Sequence, residues 1–248
     1  MKKSIILFAC MLTSSAAFAQ DAPAAEEATS KFAAAVDVVY PYMWRGPQLT
    51  GNSLSIQPYI SYAFSDKLSA GLWASAEVSG SDDAYNEVDW YLSYQASPLL
   101  NITLSDYYYF SPASMTNYFD FGATGAQAID LSFLFDFSEK GVPMDFQWNT
   151  LVAGNDFNGE GKRAYCSYAE AGYSHSLEDA GIDLRAFVGV VMSDSSAYYG
   201  MEGFVFNNIG LRMDKTFSIT ENFELPLFIR YSHGDGHYVS GGFTLNIK

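Results

Sequence analysis

The sequence predicts an all-β protein: a single antiparallel up-and-down transmembrane barrel of about twelve strands. Three observations predict it. Segments of roughly ten residues alternate apolar and polar side chains, and a period of two puts the two kinds on opposite faces of a strand. Charge keeps to one of those faces. Short turns and longer loops take strict turns along the chain, as in barrels with short periplasmic turns and longer extracellular loops.

The elements follow in order. Residues 1–19 read as a signal peptide: Lys2 and Lys3, an apolar run from Ile5 to Leu12, then Ala17-Phe18-Ala19 before Gln20. Residues 20–30 (QDAPAAEEATS) form a small, acidic leader, expected to be disordered in the periplasm. The barrel is expected over 31–248. Its first strand, Val36 to Gly46, reads VDVVYPYMWRG. One row, Val36, Val38, Tyr40, Tyr42 and Trp44, is apolar and turns aromatic at the outer rim; the other, with Asp37, Val39, Pro41, Met43 and Arg45, faces the lumen. Trp44 and Arg45 are thus expected at the rim, and Pro41 where the ladder can spare an N–H. Further strands are expected at about 53–64, 67–79, 87–95, 99–110, 126–137, 143–153, 164–176, 183–192, 204–217, 223–232 and 238–247.

Turns SD, SP, SEKGV, LEDAGI and SITEN alternate with longer loops, of which Ser111–Gly125 is the longest. Both termini then fall on the short-turn side. On the lumen register stand sixteen charged residues, eleven acidic and five basic; on the apolar register stand only Asp106 and Lys215. An Arg or Lys facing lipid near the midplane costs ~2–4 kcal/mol, and a wetted lumen does not impose that cost. Lys215 can snorkel from its place beside a turn. Asp106 is a misfit that implies a bulge, a rim position or a misassigned register.

A soluble sandwich or lipocalin-like barrel would show the same alternation turned inside out. The membrane is favoured because ten residues match the ~9–11 of a tilted span. Aromatics also collect at strand ends (Tyr42, Trp44, Tyr62, Phe64, Phe110, Phe217, Phe223), as a girdle would. The polar face moreover carries bulky Trp73, Tyr91, Tyr107, Tyr109 and Phe187. Formal charge is −15, and −17 once Lys2 and Lys3 are removed with the signal. So acidic a chain does not bind nucleic acid by counterion release. Cys166 alone survives processing, which excludes an internal disulfide.

Tyr42-Met43-Trp44-Arg45-Gly46, Ser55-Ile56-Gln57-Pro58, Ala70-Gly71-Leu72-Trp73-Ala74-Ser75, Glu87-Val88-Asp89-Trp90-Tyr91 and Tyr107-Tyr108-Tyr109 occur in that order. With these the chain resembles the TorF-type porins and related outer-membrane barrels, best over residues 36 to 110. The resemblance implies the outer membrane, its lipids and the barrel-assembly machinery as surroundings. The chain ends Asn246-Ile247-Lys248 rather than on the usual aromatic.

The functional candidates are lumen residues: Asp37, Trp73, Glu77, Glu87, Asp89, Tyr91, Tyr107, Glu170, Arg185, Arg212 and Arg230. An excess of acids favours cations if the pore is open, so the expected function is passive diffusion of small solutes through a narrow acidic lumen. The alternative is an occluded barrel, with Asp89 or Glu170 paired to Arg185, Arg212 or Arg230, serving a structural or surface-binding role. A lipid hydrolase is the remote third reading. Ser232 to His237 (SHGDGH) contains an H-x-D-x-H spacing, making His233, Asp235 and His237 a weak metal candidate, but Gly and Asp there suit a plain hairpin turn. No cofactor and no catalytic residue is expected.

Overall fold

The computed structural model describes residues 30–247 except 116 and 195–197. The expected signal peptide, and all of the expected leader but Ser30, lie outside the described residues.

Twelve strands close into one antiparallel barrel: β1 (Phe32–Tyr40), β2 (Ser55–Ala63), β3 (Leu68–Glu77), β4 (Asn86–Ser97), β5 (Leu100–Phe110), β6 (Gln127–Asp136), β7 (Met144–Gly154), β8 (Ser167–Leu177), β9 (Ile182–Ser193), β10 (Gly203–Thr220), β11 (Phe223–His233) and β12 (His237–Ile247). Each strand pairs with its neighbours in sequence, and β1 closes on β12 with Ala34 opposite Ile247 and Tyr40 opposite Gly241. Closure leaves no sheet edge, which a strand crossing lipid requires.

The pleat sorts the side chains as the alternation demands. On β4, Glu87, Asp89, Tyr91 and Ser93 are buried inside, while Val88, Leu92 and Tyr94 are exposed outside. The outer wall is an apolar belt, with Leu72, Ile209, Leu211 and Ile229 in its middle and Tyr62, Phe64, Phe217 and Phe223 at the short-turn rim. Two of the short turns are single 3-10 turns, closed by Gly141 and Gly181 in left-handed conformation. Lys215 lies beside one of them and donates to the Ala180 carbonyl.

Asp106 does stand on the outward register, yet it is buried. The loop that follows β5 folds back over the wall. Tyr118 from that loop donates to Asp106 Oδ2 at 2.5 Å, and Gln127 Nε2 donates to the same oxygen at 2.7 Å. A loop cover, rather than a bulge, shields this carboxylate. A bulge does occur in β10, where the pairing with β9 shifts between Phe206 and Asn208.

The first strand departs from expectation. β1 starts earlier, at Phe32, and ends at Tyr40, so Pro41 lies outside the ladder altogether. Residues 41–50 leave the wall and fold into the barrel. Tyr42 and Trp44, expected in the outer girdle, and Arg45, expected at the rim, are all buried inside. The physical reason lies in the backbone and in the partners. Arg45 and Gly46 adopt positive φ (45° and 109°), which breaks an extended strand, and the interior offers rings and a carboxylate that lipid does not.

Candidate functional site

The inward segment is a tight hairpin-like plug. Trp44 N–H donates to the Pro47 carbonyl and Leu49 N–H to the Tyr42 carbonyl, both at 2.9 Å, and Tyr42 N–H donates to Thr50 Oγ1 at 2.8 Å. With its own backbone groups so satisfied, the segment can enter a low-dielectric interior without leaving them bare.

Three attachments hold the plug to the wall. Arg45 Nη2 pairs with Asp130 Oδ2 of β6 at 2.6 Å, and Nη1 donates to the Tyr199 hydroxyl at 2.9 Å. Burial alone would lower the Arg45 guanidinium; the adjacent Asp130 carboxylate reverses this and holds it above its ordinary value. Asp130 also accepts from the hydroxyls of Tyr107 at 2.9 Å and Ser132 at 3.0 Å, so it is the hub of the latch. Second, Asn207, the extra residue of the β10 bulge, donates from Nδ2 to the Arg45 carbonyl at 2.6 Å. A Cβ on Gly46 would sit 2.3 Å from the Asn207 carbonyl oxygen, so this close approach needs glycine. Third, rings interlock. Trp44 stacks on Tyr199 at 5.3 Å and meets Tyr107 and Tyr198 edge-on, while Tyr42 lies 5.6 Å from Trp73.

The plug lies among lumen-facing side chains that water does not reach: Ser55, Gln57, Asp89, Ser93, Asp130, Asn149 and Tyr168 are all at 0% exposure.

The other lumen candidates divide into two groups by partner. On the β7–β11 side, Arg185 pairs with Asp145 at 2.6 Å and with Glu170 at 2.9 Å. Arg212 pairs with Asp214 at 2.5 Å, and Arg230 donates to Asn208 Oδ1 at 2.8 Å. On the β1–β5 side Asp37, Glu87 and Asp89 join none of the ion pairs among the described residues, although the Arg212 charge reaches Asp37. Asp37 accepts from the Thr244 hydroxyl at 2.7 Å. Glu87 accepts from the hydroxyls of Tyr42 at 3.3 Å and Tyr85 at 3.1 Å. Asp89 is fully buried, and among the described residues no side chain bonds either carboxylate oxygen. The expected pairing of Glu170 with Arg185 is present, and Asp89 joins none of the ion pairs among the described residues. Trp73, Tyr91 and Tyr107 are buried inside the wall around these acids, and Glu77, at the end of β3, accepts the Tyr85 N–H at 2.9 Å.

The weak metal candidate is a turn. The rings of His233 and His237 stack 4.4 Å apart, His237 Nδ1 contacts the Tyr231 hydroxyl, and Asp235 accepts from Tyr238. No group of three His, Cys, Asp or Glu side chains converges among the described residues.

Sequence reasoning missed Asn207, Tyr198 and Tyr199. Their signal was faint: an Asn-Asn pair interrupting an apolar strand, and two tyrosines in a polar loop.

The fold has solved counterparts. The NanC porin matches with a TM-score of 0.51 at 7% identity, over 87% of this chain and 99% of that one. The KdgM porin matches at 0.47 and 7% identity, over 86% and 98%. An outer membrane channel from Pseudomonas putida F1 matches at 0.41 and 10% identity, over 87% and 95%. The chain has a porin-type fold. Of these three likenesses the NanC one exceeds a TM-score of 0.5, and at such identity it speaks for fold alone. No family model and no curated protein matches the chain by sequence.

Proposed function

We propose that the chain is an outer-membrane channel of the porin class, related to the TorF-type barrels, whose lumen the segment 41–50 closes. Small solutes diffuse through a narrow acidic bore when that segment moves aside. The observation that carries this reading is the plug itself: a self-bonded hairpin, covalently part of the wall only at its ends, latched across the lumen by one ion pair, Arg45–Asp130. An interior built only to be filled has no need of a separable segment, since wall side chains fill narrow barrels directly.

Planar-bilayer recordings of purified protein test the proposal. Wild type is expected to open rarely, and Arg45→Ala to conduct steadily. Silence of both at every voltage sinks the channel reading. It would favour the second reading, a closed barrel with a structural or surface-binding role, which the shielded lumen lining also supports. A lipid hydrolase finds less support, because His233 and His237 are engaged in the turn between β11 and β12.

A further inference from the structure

Three of the four lumen arginines are seated alike, between a carboxylate and an aromatic face. Arg45 has Asp130 and the rings of Trp44 at 4.7 Å and Tyr168 at 5.5 Å. Arg185 has Asp145, Glu170 and Phe187 at 5.7 Å. Arg212 has Asp214 and Phe228 at 4.5 Å. The fourth, Arg230, takes Asn208 in place of a carboxylate and lies 4.5 Å from Phe187. Carboxylate on one side and π-face on the other is a favourable surrounding for a desolvated guanidinium.

Glu87 and Asp89 present the same chemistry, with no cationic side chain among the described residues paired to them. Two apart on β4, they share its inner face. Asp89 is flanked across the ladder by Trp73 on β3 and Tyr107 on β5. The Tyr42 ring closes the corner beside Trp73, its hydroxyl resting on Glu87. The ion pairs of Arg45, Arg185 and Arg212 go to Asp130, Asp145, Glu170 and Asp214 instead. Asp89 is at 0% exposure and no side chain bonds either of its oxygens; the donor beside them is the backbone N–H of Tyr108. Burying a charge without a partner is costly, so such a carboxyl gains most from a cation that arrives beside it.

We propose that Glu87 and Asp89, walled by Trp73 and Tyr107, form a seat for the guanidinium group of a small organic cation. The seat names the solute class of the channel proposed above and rests on that reading for its route of access. Because Tyr42 of the plug already rests on Glu87, an occupant competes with the plug directly. Moving the plug therefore raises apparent affinity, as the binding-competent fraction grows.

Titration calorimetry on the full chain in detergent micelles tests this, with ethylguanidinium as probe and neutral ethylurea as its isosteric control. Saturable ethylguanidinium binding is expected, tighter for Arg45→Ala than for wild type. Asp89→Asn or Glu87→Gln should weaken it at least ~30-fold, the loss that follows truncation of one partner in a buried charge pair. Ethylurea should not bind. Absence of saturable binding to both wild type and Arg45→Ala overturns the seat, as does binding unchanged by Asp89→Asn or matched by ethylurea. Asp89→Asn is nearly isosteric and removes a buried carboxyl that no side chain bonds, so its melting temperature should equal or exceed that of its parent. A fall would mark Asp89 as a structural partner and also overturn the seat. Calorimetry needs no conduction, so a silent bilayer and an unoccupied seat are separate failures.

Discussion

Residues 32–40 and 41–50 adjoin in sequence and share one alternation, yet they end in opposite surroundings. In the first, Val36 and Val38 face outward and Asp37 and Val39 inward, held by ladders to β2 and β12. In the second, both rows are buried and no ladder to the wall continues. The bridge between Met43 and Gln48 closes the segment on itself. A period of two assigns side chains to faces without saying what each face meets. A Tyr or Trp at the end of such a row suits a lipid girdle and suits a lumen lined with other rings equally well.

The largest effect is expected at the latch. Asp130→Asn leaves the Arg45 guanidinium buried without its counter-charge, and about 3–5 kcal/mol of stability should go with it; chemical unfolding in micelles measures the loss. Next comes the wall half. Val38→Arg puts a charge on the outward face, at a cost of ~2–4 kcal/mol if it lies near the midplane. It should impair assembly, seen as loss of the heat-modifiable folded band on a gel. If Val38→Arg assembles normally, the register of β1 is wrong. Gly46→Ala forces a Cβ against the Asn207 carbonyl at positive φ, a strain of about 1–3 kcal/mol. It should loosen the plug while the wall still assembles, so protease sensitivity within 41–50 should rise with the folded band intact. The mildest, Asn207→Ala, removes one donor to the Arg45 carbonyl and should cost about 0.5–1.5 kcal/mol. If it lowers stability as much as Asp130→Asn does, the bulge rather than the ion pair is the main fastening.

The wall was legible because its cause is local and repeated. Each strand must hide one face from water and offer the other to the interior, and that constraint writes itself into every second residue. The inward placement of Asp89, Glu170 and Arg230 followed from it directly. The plug was not legible, because its partners are remote. Arg45 meets Asp130 across 85 positions, Tyr199 across 154 and the Asn207 side chain across 162. Pro41 inside an expected central strand was the one local sign that the ladder had stopped. Asp106 misled for a related reason: its cover, Tyr118, comes from a loop whose path alternation does not describe.

The latch also has a mechanical side. In the ring of twelve strands, β6 stands nearly opposite β1, and the residues that follow β1 reach it through Arg45 and Asp130 while gripping β10 through Asn207. A hydrogen-bonded cylinder resists stretching around its circumference far better than it resists being squashed into an oval. The plug is a cross-brace against that second deformation. It ties the β1–β12 seam to the far wall, so withdrawing it would soften the cross-section of the whole barrel as well as uncover its bore.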